Sequence, residues 1–239
     1  MPSDLTAGME YNYDHLKDEM IGYNRYTNQK VHIESLFLQN ELKNKMWSFL
    51  VGARMDKHNM IDNVIFSPRA NVRFNPTEDI NIRASYSSGF RAPQAFDEDM
   101  HISAVGGEIA MIQRAKDLKE EKSQSLSTSV DFYHRFKNGI QTNFLIEGFY
   151  TSLSDVFVLE DIGKDEQGNI IKERRNGSGA KVMGLTLEGK SVLSSWLSLQ
   201  AGITLQRSLY NEPEKWSDNE NVPTERKMFR TPNTYGYFT

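Results

Sequence analysis

The stretch Leu197-Ser198-Leu199-Gln200-Ala201-Gly202-Ile203-Thr204-Leu205-Gln206 alternates apolar and polar residues without a break. Successive side chains of a β-strand point to opposite faces, so this stretch predicts a strand with one apolar and one polar face. Three others repeat it. Trp47, Phe49, Val51, Ala53 and Met55 share one face, as do Phe66, Pro68, Ala70, Val72 and Phe74, and Ile80, Ile82, Ala84 and Tyr86. Arg54, Arg69, Arg73 and Arg83 fall on the opposite, polar faces. Weaker alternation covers about 5–13, 31–42, 122–136, 140–153 and 181–191, and a last strand opens near 232. Phe37, Leu50, Leu145 and Phe149 interrupt it, being apolar residues on nominally polar faces. The helical period of 3.6 is almost absent. The pattern predicts an all-β chain, an antiparallel up-and-down meander of about ten long strands, organised as one domain over residues 1–239.

Composition sets the outer limits. The 239 residues contain no cysteine, which excludes disulfide frameworks, thiolate metal sites and cysteine nucleophiles. A net charge of −4 offers no basic footprint for nucleic acid. Only 38% of residues are hydrophobic, and no apolar run exceeds four (Val156 to Leu159 is one such run), whereas a membrane-spanning helix needs about 20. Met1-Pro2-Ser3-Asp4 leads directly into patterned sequence, so no signal peptide is expected within it. Aromatic residues reach 11%, too many for a disordered chain.

Loop lengths then decide between a soluble sandwich and a membrane barrel. Short connections at Lys43-Asn44-Lys45, Asn75 to Asp79, Lys137-Asn138-Gly139 and around Ser194-Ser195 alternate with long polar ones. The long ones fall at about 14–30, 57–63, 89–121, 154–180 and 210–231. Transmembrane β-barrels keep short turns at one end and long loops at the other, and need about 9–11 residues per crossing. Trp47, Phe74, Phe136 and Trp196 each flank a short turn, the expected position of an interfacial aromatic girdle. An open sheet cannot persist in lipid with two free edges, so the expected partners are a lipid bilayer and further barrel strands. The chain reads as a barrel segment truncated at both ends.

Tyr86-Ser87-Ser88-Gly89-Phe90-Arg91-Ala92-Pro93 resembles the stretch that closes a barrel strand before a long loop in TonB-dependent outer-membrane receptors. Asp117-Leu118-Lys119-Glu120-Glu121-Lys122-Ser123, Asn176-Gly177 with Ala180 to Glu188, and Arg230-Thr231-Pro232 match further family segments in order, with Glu120 replacing a usual proline. The resemblance implies an incomplete segment of a 22-stranded transmembrane β-barrel in the outer membrane of a Gram-negative bacterium. It also implies partners: a plug domain and TonB box that this chain lacks, the TonB complex acting through that plug, and a small nutrient ligand. Ferric siderophore, haem and cobalamin are the expected ligand classes. No cofactor, metal site or nucleic-acid partner is expected.

Candidate ligand contacts follow from position in the presumed outer loops: Arg91, Phe96, Asp97, Glu98, His101, Tyr23, Tyr26 and Trp216. The motif residues Tyr86, Gly89, Phe90, Arg91, Ala92 and Pro93 have a mainly structural expectation, because Pro93 restricts its neighbour and ends the strand. Asp97-Glu98-Asp99-Met100-His101 reads as a solvated acidic run, and a turn is expected around Gln167-Gly168-Asn169. Ile109 to Leu118 predicts a short helix with mixed faces, and Asn211 to Glu214 a helical turn. Two alternatives have recognisable requirements. A barrel enzyme needs a serine, histidine and acid converging at the rim, and Ser87 and Ser88 have no histidine at a matching position. A soluble β-rich binding protein would be soluble without detergent. No catalytic residue is assigned.

Overall fold

A computed structural model describes residues 1–23, 25–94, 103–105, 108–214, 222–228 and 231–239. Nine long strands among the described residues form one antiparallel meander: β1 Ser3–Met20, β2 Arg25–Lys43, β3 Trp47–His58, β4 Ile65–Phe74 and β5 Ile80–Arg91 come first. After two short strands, β6 Ser103–Val105 and β7 Glu108–Arg114, come β8 Glu121–Arg135 and β9 Gln141–Ser154. β10 Phe157–Lys164 and β11 Ile170–Asn176 precede β12 Ala180–Val192 and β13 Ser198–Glu214. β14 Glu225–Lys227 and β15 Thr234–Phe238 end the chain. The main sheet runs β1-β2-β3-β4-β5-β8-β9-β12-β13, with β14 and β15 both lying along β13. β1 and β15 are not paired with each other, so the sheet does not close.

Register carries the alternating apolar residues onto one continuous face. Met55 stands opposite Leu36 and Phe66, Val72 opposite Phe49 and Ala84, and Val130 opposite Ile82 and Ile146. Leu187 joins Ile146 to Ile203 in the same way. Burial is inverted relative to a water-soluble protein. Ser35, Ser48, Asp56, Asp131, Thr204 and Ser208 are buried on the polar face, while Leu38, Val51, Phe66, Leu126, Leu185 and Leu205 are exposed on the apolar one. Such a surface is stable only where hydrocarbon replaces water against it.

On the polar face Arg54, Arg69 and Arg83 meet polar or acidic side chains. Arg54 donates to Asp56 Oδ1 at 2.7 Å and Glu10 Oε2 at 2.9 Å, and also to Ser35 Oγ at 2.7 Å. Ser35 Oγ in turn donates to Asp56 at 2.6 Å. Arg83 pairs with Asp131, and Arg69 donates to Gln39. Arg73 stands directly opposite Arg83. Two of the four apolar interruptions have an explanation in register. Phe37 faces Gly8, and Phe149 faces Gly184, each ring covering the glycine across the strand pair.

Turn chemistry fixes the short end. Asn44 Oδ1 accepts the backbone N–H groups of Met46 (2.9 Å) and Trp47 (2.6 Å). In Lys137-Asn138-Gly139 the glycine holds φ at +88°, the left-handed position that closes a three-residue hairpin loop.

The other end departs from expectation in three places. Residues 14–20 and 25–30 continue β1 and β2, with the 3₁₀ turn Ile21–Tyr23 following the first of them. Ile109 to Leu118 is no helix, because Glu108–Arg114 is the strand β7. Asn211 to Glu214 belongs to β13, not to a helical turn. All three extend past the apolar band, where both faces of a strand meet water and polarity no longer alternates.

Candidate functional site

Two long connections build a second sheet at the loop end, in the order β10-β11-β7-β6. β10 and β11 are a hairpin, and its turn is held by Asp165. That carboxylate accepts the N–H groups of Gln167 and Asn169 at 2.9 and 2.8 Å, and the Asn169 side-chain amide at 2.8 Å. The Asn169 side chain chiefly, with the backbone N–H groups of Asn169, Gln167 and Gly168, holds the Asp165 pKa below its ordinary 3.8. A depressed carboxylate stabilises the folded hairpin above its ordinary pKa and ceases to as pH falls through the depressed value. Amide exchange in Asp165–Asn169 is therefore expected to accelerate below about pH 4, beyond its intrinsic change, and to show no such transition in Asp165→Asn.

β11 pairs in parallel with β7, placing Arg174 beside Arg114. The sheet is tied down by Asn176, which accepts the Lys119 N–H at 2.8 Å and donates to Lys119 O at 3.1 Å and Asp155 O at 2.8 Å. One amide thus clamps the exits of both loops. Asn176→Asp keeps the acceptor and loses both donors, a local loss of about 1–2 kcal/mol. The expected readout is faster amide exchange in β7, β10 and β11 with the main sheet unchanged.

Arginines join this sheet to the β1–β2 hairpin. Arg114 Nη1 donates to the Gln29 side chain at 2.9 Å and to Pro93 O at 3.0 Å. Arg25 Nη2 donates to Ile112 O at 2.9 Å. Gln29 and Arg174 are buried. Between the hairpin and β7 lies a recess of ≈ 300 Å³, lined by Arg25, Tyr26, Gln29, Ile112, Gln113 and Arg114 among others.

Of the anticipated contacts, Tyr26 lines this recess and is exposed. Arg91 lies over the Phe157 ring, 5.5 Å from its centroid, at the base of the second loop. The Tyr23 side chain, Phe96, Asp97, Glu98, His101 and Trp216 lie outside the described residues. The motif packs locally: Ala92 joins Ile61 and Ile65 in a small buried cluster against which Phe90 rests. Buried His58 accepts the Met60 N–H at Nδ1 (3.0 Å), which leaves Nε2 to donate to Gln94 Oε1 (3.4 Å). Arg25, Gln29, Arg114 and Arg174 escaped the sequence reading, since their grouping depends on a strand pairing with no local signal.

At the turn end, Trp47 stacks on Phe74 with ring centroids 4.2 Å apart. Phe136 meets His134 edge-on at 4.4 Å, and Trp196 is 83% exposed.

A long-stranded meander with an apolar outer face, a polar inner face and loops at one end is the wall of a transmembrane β-barrel. The family profile "TonB dependent receptor-like, beta-barrel" matches residues 2–239. The chain belongs to that family, whose members are outer-membrane receptors and transporters, not enzymes.

Solved structures share the fold. The siderophore receptor PirA from Pseudomonas aeruginosa aligns with a TM-score of 0.73 at 20% identity, over 86% of this chain and 39% of that one. A mutant ferric enterobactin receptor from the same organism, in complex with enterobactin, gives 0.69 at 18% identity, over 88% and 34%. The FrpB iron transporter from Neisseria meningitidis gives 0.63 at 14%, over 87% and 33%. The chain therefore spans well under half the length of these receptors. No curated protein sequence matches it.

Proposed function

We propose that this chain is a section of the barrel wall of a TonB-dependent transporter, located in the outer membrane of a Gram-negative bacterium. The transporter takes up a scarce nutrient, a ferric siderophore before haem or cobalamin. The rest of the barrel pairs with β1 and β15, and a plug domain fills the lumen and transmits the pull of the TonB complex. Trp47, Phe74, Phe136 and Trp196 lie at the periplasmic interface, and the arginine-lined sheet lies outside.

The observation that carries the reading is the sheet built from two loops, with Arg25 and Arg114 bordering its recess. Guanidinium groups there suit an anionic chelate, which electrostatic attraction would draw to the barrel mouth. Arg91 and Tyr26 contribute at its edges, with Tyr23, Phe96, Asp97, Glu98, His101 and Trp216 as further contacts. Names of the aligned receptors point the same way.

Growth decides it. A strain lacking the gene is expected to fail on ferric siderophore as sole iron source while growing on haem and on cobalamin-dependent medium. Failure on haem or cobalamin alone would move the ligand class; normal growth on all three would contradict the proposal.

A further inference from the structure

Towards the loop end the wall parts between β4 and β5. Their pairing runs from Phe74 opposite Ile82 only as far as Arg69 opposite Ser87. On either side the ladders go further, β3 with β4 to Asp56 and Ile65, and β5 with β8 to Arg91 and Glu121. Pro68, next in line, has no N–H to give to a ladder. Ser88 Oγ still reaches Pro68 O at 3.4 Å. Between the strand ends lies a slot of ≈ 360 Å³, bordered by Phe66, Ser67, Pro68, Ser88 and Gly89 among others. Its two sides are joined at the top by the cluster of Ile61, Ile65 and Ala92 with Phe90, and by one histidine.

That histidine, His58, is fully buried at the end of β3. β3 starts at the girdle residue Trp47, and about 9–11 residues make a crossing, so His58 stands beyond the membrane-spanning part. Its Nδ1 accepts the Met60 N–H at 3.0 Å, and its Nε2 donates to Gln94 Oε1 at 3.4 Å. The ring thereby ties the 57–63 loop to the chain leaving β5. On its other side the loop is fixed independently, because Asn59 accepts the His32 N–H at 3.1 Å and donates to Lys30 O at 2.9 Å. The β2 side is pinned, while the β5 side depends on the imidazole and the apolar cluster. Gln94 follows Pro93, whose carbonyl Arg114 holds, so the same tie bears on the recess beside β7.

A proton on Nδ1 turns the acceptor of the Met60 N–H into a donor, setting two N–H groups against each other. The surrounding charges are engaged elsewhere. Asp56 is bound to Arg54 and Ser35, Lys57 to Ile61 O and Asp62 O, and Arg114 to Pro93 O and Gln29. Lys30, His32 and Asp62 are exposed, and among the described residues no carboxylate hydrogen-bonds the ring. Burial holds the His58 pKa below its ordinary 6.5; the Gln94 acceptor works against this and His32 adds to it. An opened, solvated ring returns to the ordinary value. The closed form is therefore fully favoured above about pH 6.5 and loses that advantage as pH falls towards the depressed value.

We propose that His58 is an acid-sensitive latch: neutral, it closes the β4–β5 slot by holding Met60 and Gln94, and protonated, it releases the Met60 N–H and lets the slot widen. The latch belongs to the wall and does not depend on which ligand is bound.

The test uses the full-length receptor in lipid nanodiscs, spin-labelled at Asn63→Cys and Gln124→Cys, two positions that border the slot from opposite sides. The distance between labels is measured at about pH 7.5 and about pH 5, across the range where histidine titrates. A longer, broader distribution is expected at the lower pH, reversing on return. His58→Asn keeps an acceptor for the Met60 N–H and cannot titrate, so its distance should be the same at both pH values, with heat-modifiable mobility confirming that it folds. His32→Gln should keep the change. Gln94→Glu sets a carboxylate against the imidazolium and should raise the midpoint by about one pH unit. A wild-type distance unchanged by pH would overturn the latch, as would an equal change in folded His58→Asn. A midpoint unmoved by Gln94→Glu would overturn it too, and decides the matter even where His58→Asn does not fold.

Discussion

Gly184→Val is expected to be among the most damaging single substitutions in this chain, and Gly189→Val, five residues along the same strand, nearly silent. A Cβ at Gly184 would lie 2.5 Å from Phe149 Cζ and 2.6 Å from the Leu205 carbonyl oxygen. The ring has some freedom; the carbonyl, fixed in the β12–β13 pairing, has very little. Overpacking of this kind costs about 3 kcal/mol, the upper part of its usual range. At Gly189 a Cβ would meet nothing within 4 Å, because it points to the apolar face. Valine there adds strand propensity and lipid contact, so stability should stay within about 0.5 kcal/mol of wild type. Thermal unfolding of the receptor in detergent, followed by heat-modifiable mobility, separates the two. Equal melting temperatures for both variants would contradict the close Gly184–Phe149 packing.

Lysine at Val130 and lysine at the adjacent Ser129 should differ almost as widely. Val130 lies among Ile82 and Ile146 on the apolar face, about midway along β8. A lysine at the bilayer midplane of a barrel costs about 2–4 kcal/mol. Ser129 faces the lumen between Glu147 and Arg83, and Arg83 is itself paired with Asp131, so a lysine in place of Ser129 enters a polar space with a carboxylate on one side. That change should cost under about 1 kcal/mol. Urea titration of the receptor refolded into lipid vesicles measures both. A smaller loss at Val130 than at Ser129 would mean that the two faces had been assigned the wrong way round.

The sequence was most legible where the environment imposes a contrast. Between the turns and the loop end one face of each strand meets apolar surroundings, so Leu197 to Gln206 and Trp47 to Met55 alternate visibly. Beyond the apolar band the contrast vanishes. His15 and Asn28, on β1 and β2, come within 2.9 Å of each other in a stretch with no polarity period to reveal it. The β10–β11 hairpin and β7, expected as loop and helix, lack a period-two pattern for the same reason. Pairing of β7 with β11 joins residues about 60 apart along the chain, and no local pattern encodes such a contact. Phe37 and Phe149 looked like faults in the alternation because the glycines they cover are identifiable only from register. Composition and spacing gave the arginines of the lumen, but only the assembled sheet shows Arg54 and Arg83 satisfied by carboxylates while Arg73 faces another arginine. At the candidate site, Tyr26 was anticipated from loop position, whereas Arg25 and Arg114 required the fold.

Nitroxide scanning of β13, in the receptor reconstituted into lipid bilayers, tests the barrel wall directly. This chain contains no cysteine, so single labels can be introduced from 198 to 206 without competing sites of its own. Accessibility to molecular oxygen, which concentrates in hydrocarbon, is expected to peak at Leu199, Ala201, Ile203 and Leu205. It should fall at Gln200, Gly202, Thr204 and Gln206, with the opposite order for a water-soluble nickel chelate. Uniform accessibility along the strand, or oxygen maxima on the even-numbered positions, would contradict the barrel wall described above.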